Sequence, residues 1–156
     1  LSPHSIAMVV DGGDSVAIGQ AIFMKKGPGV TTLGGTIVTV TDAFGVPRQV
    51  RFHRPIVAQV KISIAIVAQA GFTTANQDRI VAALVEWVNA IPIGVSVEWA
   101  EMFVPANLGG DPARTTYKIT SLTIAKNAGA FGNSALTMAF NEAASLSDLD
   151  IAVAVS

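Results

Sequence analysis

Alternation of apolar and polar positions is clearest over residues 57–68. There Val60, Ile62, Ile64 and Ile66 take one side of an extended chain, and Lys61, Ser63, Ala65 and Val67 the other. The second set is largely apolar too, so this strand is expected to be central in a sheet or to turn one face to a partner. A β-branched, alternating run predicts a strand over residues 36–42. A turn at Ala43-Phe44-Gly45-Val46-Pro47 and a return strand over 48–53 follow, with Val50 and Phe52 on one face and Gln49, Arg51 and His53 on the other. A first strand over residues 5–10 ends at Gly12-Gly13.

Two segments switch to helical spacing. Asp14 suits an N-cap, because its carboxylate can accept from free amides of the first turn. Val16, Ile18, Ala21 and Ile22 then form a broad apolar side. Lys25 and Lys26 complement the dipole at the far end, and Gly27-Pro28 stops the helix. The second helix opens on Thr74-Ala75-Asn76-Gln77, a capping-box pattern. Behind it Ile80, Ala83, Leu84, Trp87, Val88 and Ile91 recur at helical spacing, until Pro92 and Gly94 end the run. Residues 97–104 are expected to form a short further helix capped by Ser96, and 107–116, with Gly109-Gly110-Asp111-Pro112, a mobile loop. Strands are expected over 117–125, 135–140 and 151–155. The order predicts an α+β fold of mostly antiparallel sheet with two main helices. It divides either into two small α/β lobes, a strand-helix-hairpin-strand lobe at 1–72 and a helix-loop-three-strand lobe at 73–156, or forms one compact domain.

Composition narrows the function classes. Of the 156 residues, 51% are hydrophobic and only 13% charged, against about a quarter charged in ordinary soluble domains. No run approaches the roughly 20 apolar residues of a spanning helix: the most apolar stretch, 60–70, is interrupted by Lys61, Ser63 and Gln69. No charged-then-apolar signal segment opens the chain. The apolar excess is therefore expected to go into a core or into contacts with other subunits. A net charge of −1 gives no basic excess for nucleic acid, and the absence of cysteine excludes disulfides and thiolate metal sites. The chain begins at Leu1, which reads as a fragment or a processed product.

His4 and His53 lack the further ligands a metal needs, and His53 sits beside Arg51 and Arg54. Asp11-Gly12-Gly13-Asp14 lacks the alternating oxygen ligands of a calcium loop and reads as a turn feeding an N-cap. Gly27-Pro28-Gly29 follows a helix rather than preceding one, as a phosphate loop would. Glu98, Glu101 and Asp111 are an acidic group without a sign of a pocket. Asn141-Glu142, Asp148 and Asp150 read as solvated turns. Arg48, Arg51 and Arg54 are the densest basic patch, read as a solvated strand end or an ion-paired contact with another subunit. With two histidines and no nucleophile elbow, a triad is not expected. No catalytic, cofactor-binding or metal-binding residue is assigned, and an enzyme is not expected.

The ordered punctuation of residues 3–55 resembles the C-terminal part of the baseplate J-like family. It comprises the Pro3-His4-Ser5 start, the Val10-Asp11-Gly12-Gly13 turn and the Ala17-Ile18 to Ala21-Ile22 helix. The Pro28-Gly29 stop, Thr39-Val40-Thr41-Asp42 and Arg51-Phe52-His53-Arg54-Pro55 complete it. Residues 76–94 and strands near Leu122-Thr123-Ile124 and Ile151-Ala152-Val153 are similar in placement. The resemblance implies a structural wedge protein of the contractile-tail baseplate of a phage or prophage, assembled in the bacterial host cytoplasm. Longer members carry additional N-terminal domains. The implied partners are other baseplate wedge proteins and further copies of the chain, with no nucleic acid, membrane, small-molecule substrate or cofactor. The alternative is a carbohydrate- or receptor-binding module of a tail fibre or spike. That reading needs exposed aromatics, for which Trp99 and Tyr117 are the candidates, because Trp87 falls on the helix core stripe.

Overall fold

The computed structural model describes residues 3–156 and divides into two units, Leu1–Ile56 and Val57–Ser156. Each is α+β. The division falls at Ile56/Val57 rather than after residue 72, because the long strand that follows is hydrogen-bonded on both sides to strands from the C-terminal half.

In the first unit, β1 (Ser5–Ala7) pairs in parallel with β2 (Thr31–Leu33). The three-residue β2 is too short to show a period in the sequence. Helix α1 (Ser15–Lys25) begins where Asp14 Oδ1 accepts from the Ala17 N–H at 2.9 Å, as its sequence predicts. It ends at Lys26, whose backbone is already extended, one residue before Gly27. Ile18 and Ile22 face inward as their spacing predicts, joined by Gly19 and Phe23, while Val16 and Ala21 are exposed. The close approach at Gly19 has a steric cause. A Cβ on Gly19 would stand 2.9 Å from Val38 Cγ1, so the missing side chain lets the helix settle against the sheet at that point.

The sheet beneath α1 is an antiparallel hairpin of β3 (Thr36–Thr41) and β4 (Pro47–Phe52), in register from Thr36↔Phe52 to Thr41↔Pro47. Asp42 closes its turn, accepting from the N–H groups of Phe44 at 3.0 Å and Val46 at 2.9 Å and from Arg48 Nε at 3.1 Å. Val38, Val40, Val50 and Phe52 form the core, with Val10, Ile18, Ile22 and Phe23 packed on it. Each such side chain, fully buried, contributes about 1.5–3 kcal/mol.

The second unit is built on β5 (Ile56–Ala68). It pairs antiparallel with β6 (Tyr117–Lys126) on one side, and with β7 (Glu142–Ser145) and parallel β8 (Ile151–Val155) on the other. Its apolar second face follows from this central place. Ala58, Val60, Ile62, Ile64 and Ile66 are buried against α2 (Thr74–Asn89) through Ile80, Leu84 and Val88. Between Ala65 and Ile66 the β5–β6 register shifts, and the Thr120 hydroxyl donates to the Ala65 carbonyl at 3.1 Å. The two long ladders, β3–β4 and β5–β6, are antiparallel, so the sheet is mostly antiparallel.

The capping box does not form. Thr73 is the N-cap of α2, its hydroxyl donates to Asn76 Oδ1 at 3.2 Å, and the Asn76 amide is turned to Thr116 Oγ1 at 2.9 Å. Trp87 lies off the buried stripe. Residues 97–104 become a 3₁₀ turn, Trp99–Met102, leading into the single helical turn α3 (Phe103–Ala106), and Ser96 caps neither. The expected loop at 107–116 is two 3₁₀ turns, Leu108–Gly110 and Pro112–Thr116, the second capped by Asp111. Residues 135–140 are not a strand. Leu136 makes one bridge to Val97, and the place beside β5 is taken by β7. Among the described residues no helix is long and apolar enough to cross a membrane.

Gly34 gives the sharpest test of packing in the first unit. A Cβ there would lie 2.0 Å from the carbonyl carbon of Phe52, which is backbone and cannot step aside. Gly34→Ala is therefore expected to cost about 3 kcal/mol or more in urea unfolding; Gly35→Ala, with open space around it, is the matched control.

Candidate functional site

The Gly12-Gly13 turn and the start of α1 meet the end of β4 at one side chain, Arg54. Gly12 and Gly13 both have positive φ, 61° and 72°, which turns their carbonyls toward the end of β4. The Arg54 guanidinium fills that space. Nη1 donates to the Val10 carbonyl at 3.2 Å and to the Gly12 carbonyl; Nη2 donates to the Gly13 carbonyl and to Ser15 Oγ, both at 2.9 Å. The guanidinium also stands 5.1 Å from the centre of the Phe52 ring. A planar fork suits several acceptors at once, which an ammonium cannot match. Arg54 thus ties the Gly-Gly turn and the start of α1 to the strand end 42 residues away in sequence.

The other candidates do not converge. Arg48 is held by Asp42 within the hairpin, and Arg51 stands exposed on the outer face of β4. His4 is exposed in a left-handed backbone turn with φ 55°. The His53 main chain pairs with Met8 and Val10 at 2.8 and 2.9 Å. Asp111 pairs with Arg79 at 2.8 Å, while Glu98 and Glu101 are exposed. Asp150 accepts from Gln59 and Ser147, both at 2.6 Å. Glu142, expected in a solvated turn, opens β7 and is half-buried, pairing with Lys126 and accepting from the Ala139 N–H at 2.7 Å. Among the described residues, no three His, Asp or Glu side chains are grouped to hold a metal ion.

Perturbed titrations follow these structural pairs. Hydrogen bonds from Lys126 and then Ala139 hold the Glu142 carboxyl below its ordinary range. The Val46 N–H does most to lower Asp42, and the Ala113 N–H, then Arg79, to lower Asp111. Burial pushes the Tyr117 hydroxyl up.

The surface carries more apolar side chains than these polar sites. In the first unit Phe44, at the hairpin tip, is 92% exposed and Met24, on α1, 81%. In the second unit Leu149 is 92% exposed, and Phe131 and Phe140 are about half exposed. An open groove of about 560 Å³ runs between α2 and α3, with Trp87 and Val104 on its walls, Ala83 and Pro105 in its lining, and Arg79 and Glu86 at its polar positions. The aromatic candidates are exchanged relative to expectation. Trp99 packs edge-on against Phe103 and donates its indole N–H to the Leu122 carbonyl at 2.8 Å; Tyr117 is buried and donates to the Ala106 carbonyl at 2.7 Å. Trp87 is the open one, because at its position the helix faces the groove rather than β5.

No family model matches the chain, and no curated protein matches it either.

The depressed carboxyls set an acid limb. A carboxylate whose folded pKa lies below its unfolded value stabilises fully above the unfolded value, about 4, and loses that contribution as pH falls through the folded one. Urea midpoints measured from neutral to strongly acid pH should therefore decline below about pH 4. Glu142→Gln should be less stable at neutral pH and show a shallower decline.

Proposed function

We propose that this chain is a structural assembly module of the baseplate J-like kind, a wedge component of the contractile-tail baseplate of a phage or prophage. It acts by protein–protein contact, with other wedge proteins and further copies of itself as partners, and performs no catalysis. The observation that carries the reading is the amount of large apolar side chain left open to solvent, led by Phe44, Leu149 and Met24. Single exposed apolar residues are ordinary, but this many on a chain with 13% charge suit a surface that is covered in use. Motif geometry supports it in a second way. The positions that resemble the family pattern fix turns, a cap, a hairpin and a clamp in the first unit, which is what a shape-bearing part requires.

One observation favours a second reading. Trp87, 37% exposed in a groove with Arg79 and Glu86, offers a stacking face beside polar groups, as a carbohydrate-binding module would. Titration of Trp87 fluorescence with bacterial surface glycans separates the two, since saturable quenching belongs only to the second.

Antibody labelling of purified contractile particles from the encoding bacterium tests the first. Label at the baseplate end of the tail, with the chain present in the particle fraction by mass spectrometry, is the expected result. Particles that lack the chain would overturn the assignment.

A further inference from the structure

We infer that the free edge of β3 is a strand-pairing surface whose occupant is β3 of a second copy of this chain, aligned antiparallel about Thr39. Hydrogen bonding inside the hairpin decides which backbone groups face outward. The Asp42 N–H donates to the Val46 carbonyl at 3.0 Å. Bonded pairs then alternate back from the turn as Val40↔Arg48, Val38↔Val50 and Thr36↔Phe52. The N–H and C=O groups of Ile37, Thr39 and Thr41 consequently point away from β4. The opposite edge provides an independent check: Arg51, across from Ile37, directs its N–H outward to Thr32 Oγ1 at 2.9 Å.

The two edges of the hairpin are treated differently. On the β4 side Thr32 takes the Arg51 N–H, and just beyond the strand His53 exchanges bonds with Met8 and Val10. On the β3 side, among the described residues, β4 is the sole strand partner. That open edge also lacks the usual protections. Its sequence, TIVTVT, contains no charge, proline or glycine, and Ile37, Thr39 and Thr41 are exposed.

Self-pairing satisfies this edge completely. With Thr39 opposite Thr39 of the other copy, Ile37 of each chain lies opposite Thr41 of the other. Every residue with outward backbone groups then meets another of the same kind, and each pair exchanges both bonds. The cross-strand neighbours are β-branched, a favourable pairing. Charge fits as well, since Asp42 falls opposite Thr36 and no like charges are set side by side. A trough of about 420 Å³, lined by Gln20, Phe23, Met24, Val40 and Thr41, opens beside this end of β3, with the exposed Met24 at its rim. The product is one antiparallel sheet in the order β4, β3, β3, β4, closed by a two-fold axis. This inference stands on the edge geometry and does not depend on the baseplate assignment.

Sedimentation of the full chain up to millimolar concentration, with residue-resolved amide exchange, tests it. A dimer is expected, with the amides of Ile37, Thr39 and Thr41 becoming protected as concentration rises while those of Val38 and Val40 are protected throughout. Thr39→Pro removes an outward donor without touching the hairpin ladder, and Thr39→Lys places a charge on the edge. Each should raise the dimer Kd by about tenfold or more; the lysine variant serves if the proline variant does not fold. A monomer at every concentration overturns the inference. So does a dimer whose Kd neither variant changes, which would leave assembly intact but move its contact elsewhere. Protection of the three amides only when a different chain is added also overturns self-pairing.

Discussion

The first unit depends on one guanidinium. Arg54 holds three consecutive-region carbonyls, Val10, Gly12 and Gly13, together with the Ser15 hydroxyl. Positive φ at both glycines aims their carbonyls at one point of an exposed turn, where a single cationic fork binds them with charge-assisted hydrogen bonds. By satisfying them the arginine fixes the entry of α1, and α1 in turn covers Val38, Val40, Val50 and Phe52. The chain's densest basic patch is thus spent on its own main chain at Arg54 and on the hairpin turn at Arg48, leaving Arg51 as the outward-facing cation of the three.

In the second unit the corresponding constraint is β5, a long strand bonded on both sides. Its inner face makes the core with α2, and its ladder partners set where β6, β7 and β8 run. Ion pairs there, Lys126–Glu142 and Arg79–Asp111, brace loops against strands and helices rather than facing a common pocket. What both units leave open is apolar: a hairpin tip, a helix flank, a groove with a tryptophan wall and an unguarded strand edge. Those features are the chemistry of contact, which is why assembly is the reading proposed.

Much of this was legible in the sequence where a local rule had one meaning. Asp14 as a cap, the Val50/Phe52 face, the alternation of β5 and the α+β class all follow from neighbours along the chain. Misreadings came where distant residues decided the outcome. Gly19 lets α1 lie close against Val38 while Val16 is left exposed, yet nothing in the local pattern reports that approach. The expected box of Thr74 and Gln77 gives way to a cap at Thr73, where Asn76 is drawn to the distant Thr116, and residues 135–140 lose their strand to β7. Arg54 reads in the sequence as part of a basic patch, but three of its acceptors are main-chain carbonyls, which carry no residue-specific signal. Two adjacent glycines before a helix, with an Arg-Pro pair at a later strand end, were the available hint. Trp87 shows the limit of helical spacing: a residue one step off the stripe is indistinguishable from one on it until the neighbouring helix is known.

Urea unfolding of Arg54→Lys beside the wild type tests most directly whether the distinctive positions serve the main chain. Loss of about 2 kcal/mol is predicted, because an ammonium cannot reach the same four acceptors. Faster amide exchange at the Gly12–Gly13 turn should accompany it, and added polyphosphate should leave the wild type unchanged. A variant as stable as the wild type, with only the wild type stabilised by polyphosphate, would contradict the clamp and make Arg54 part of an anion site.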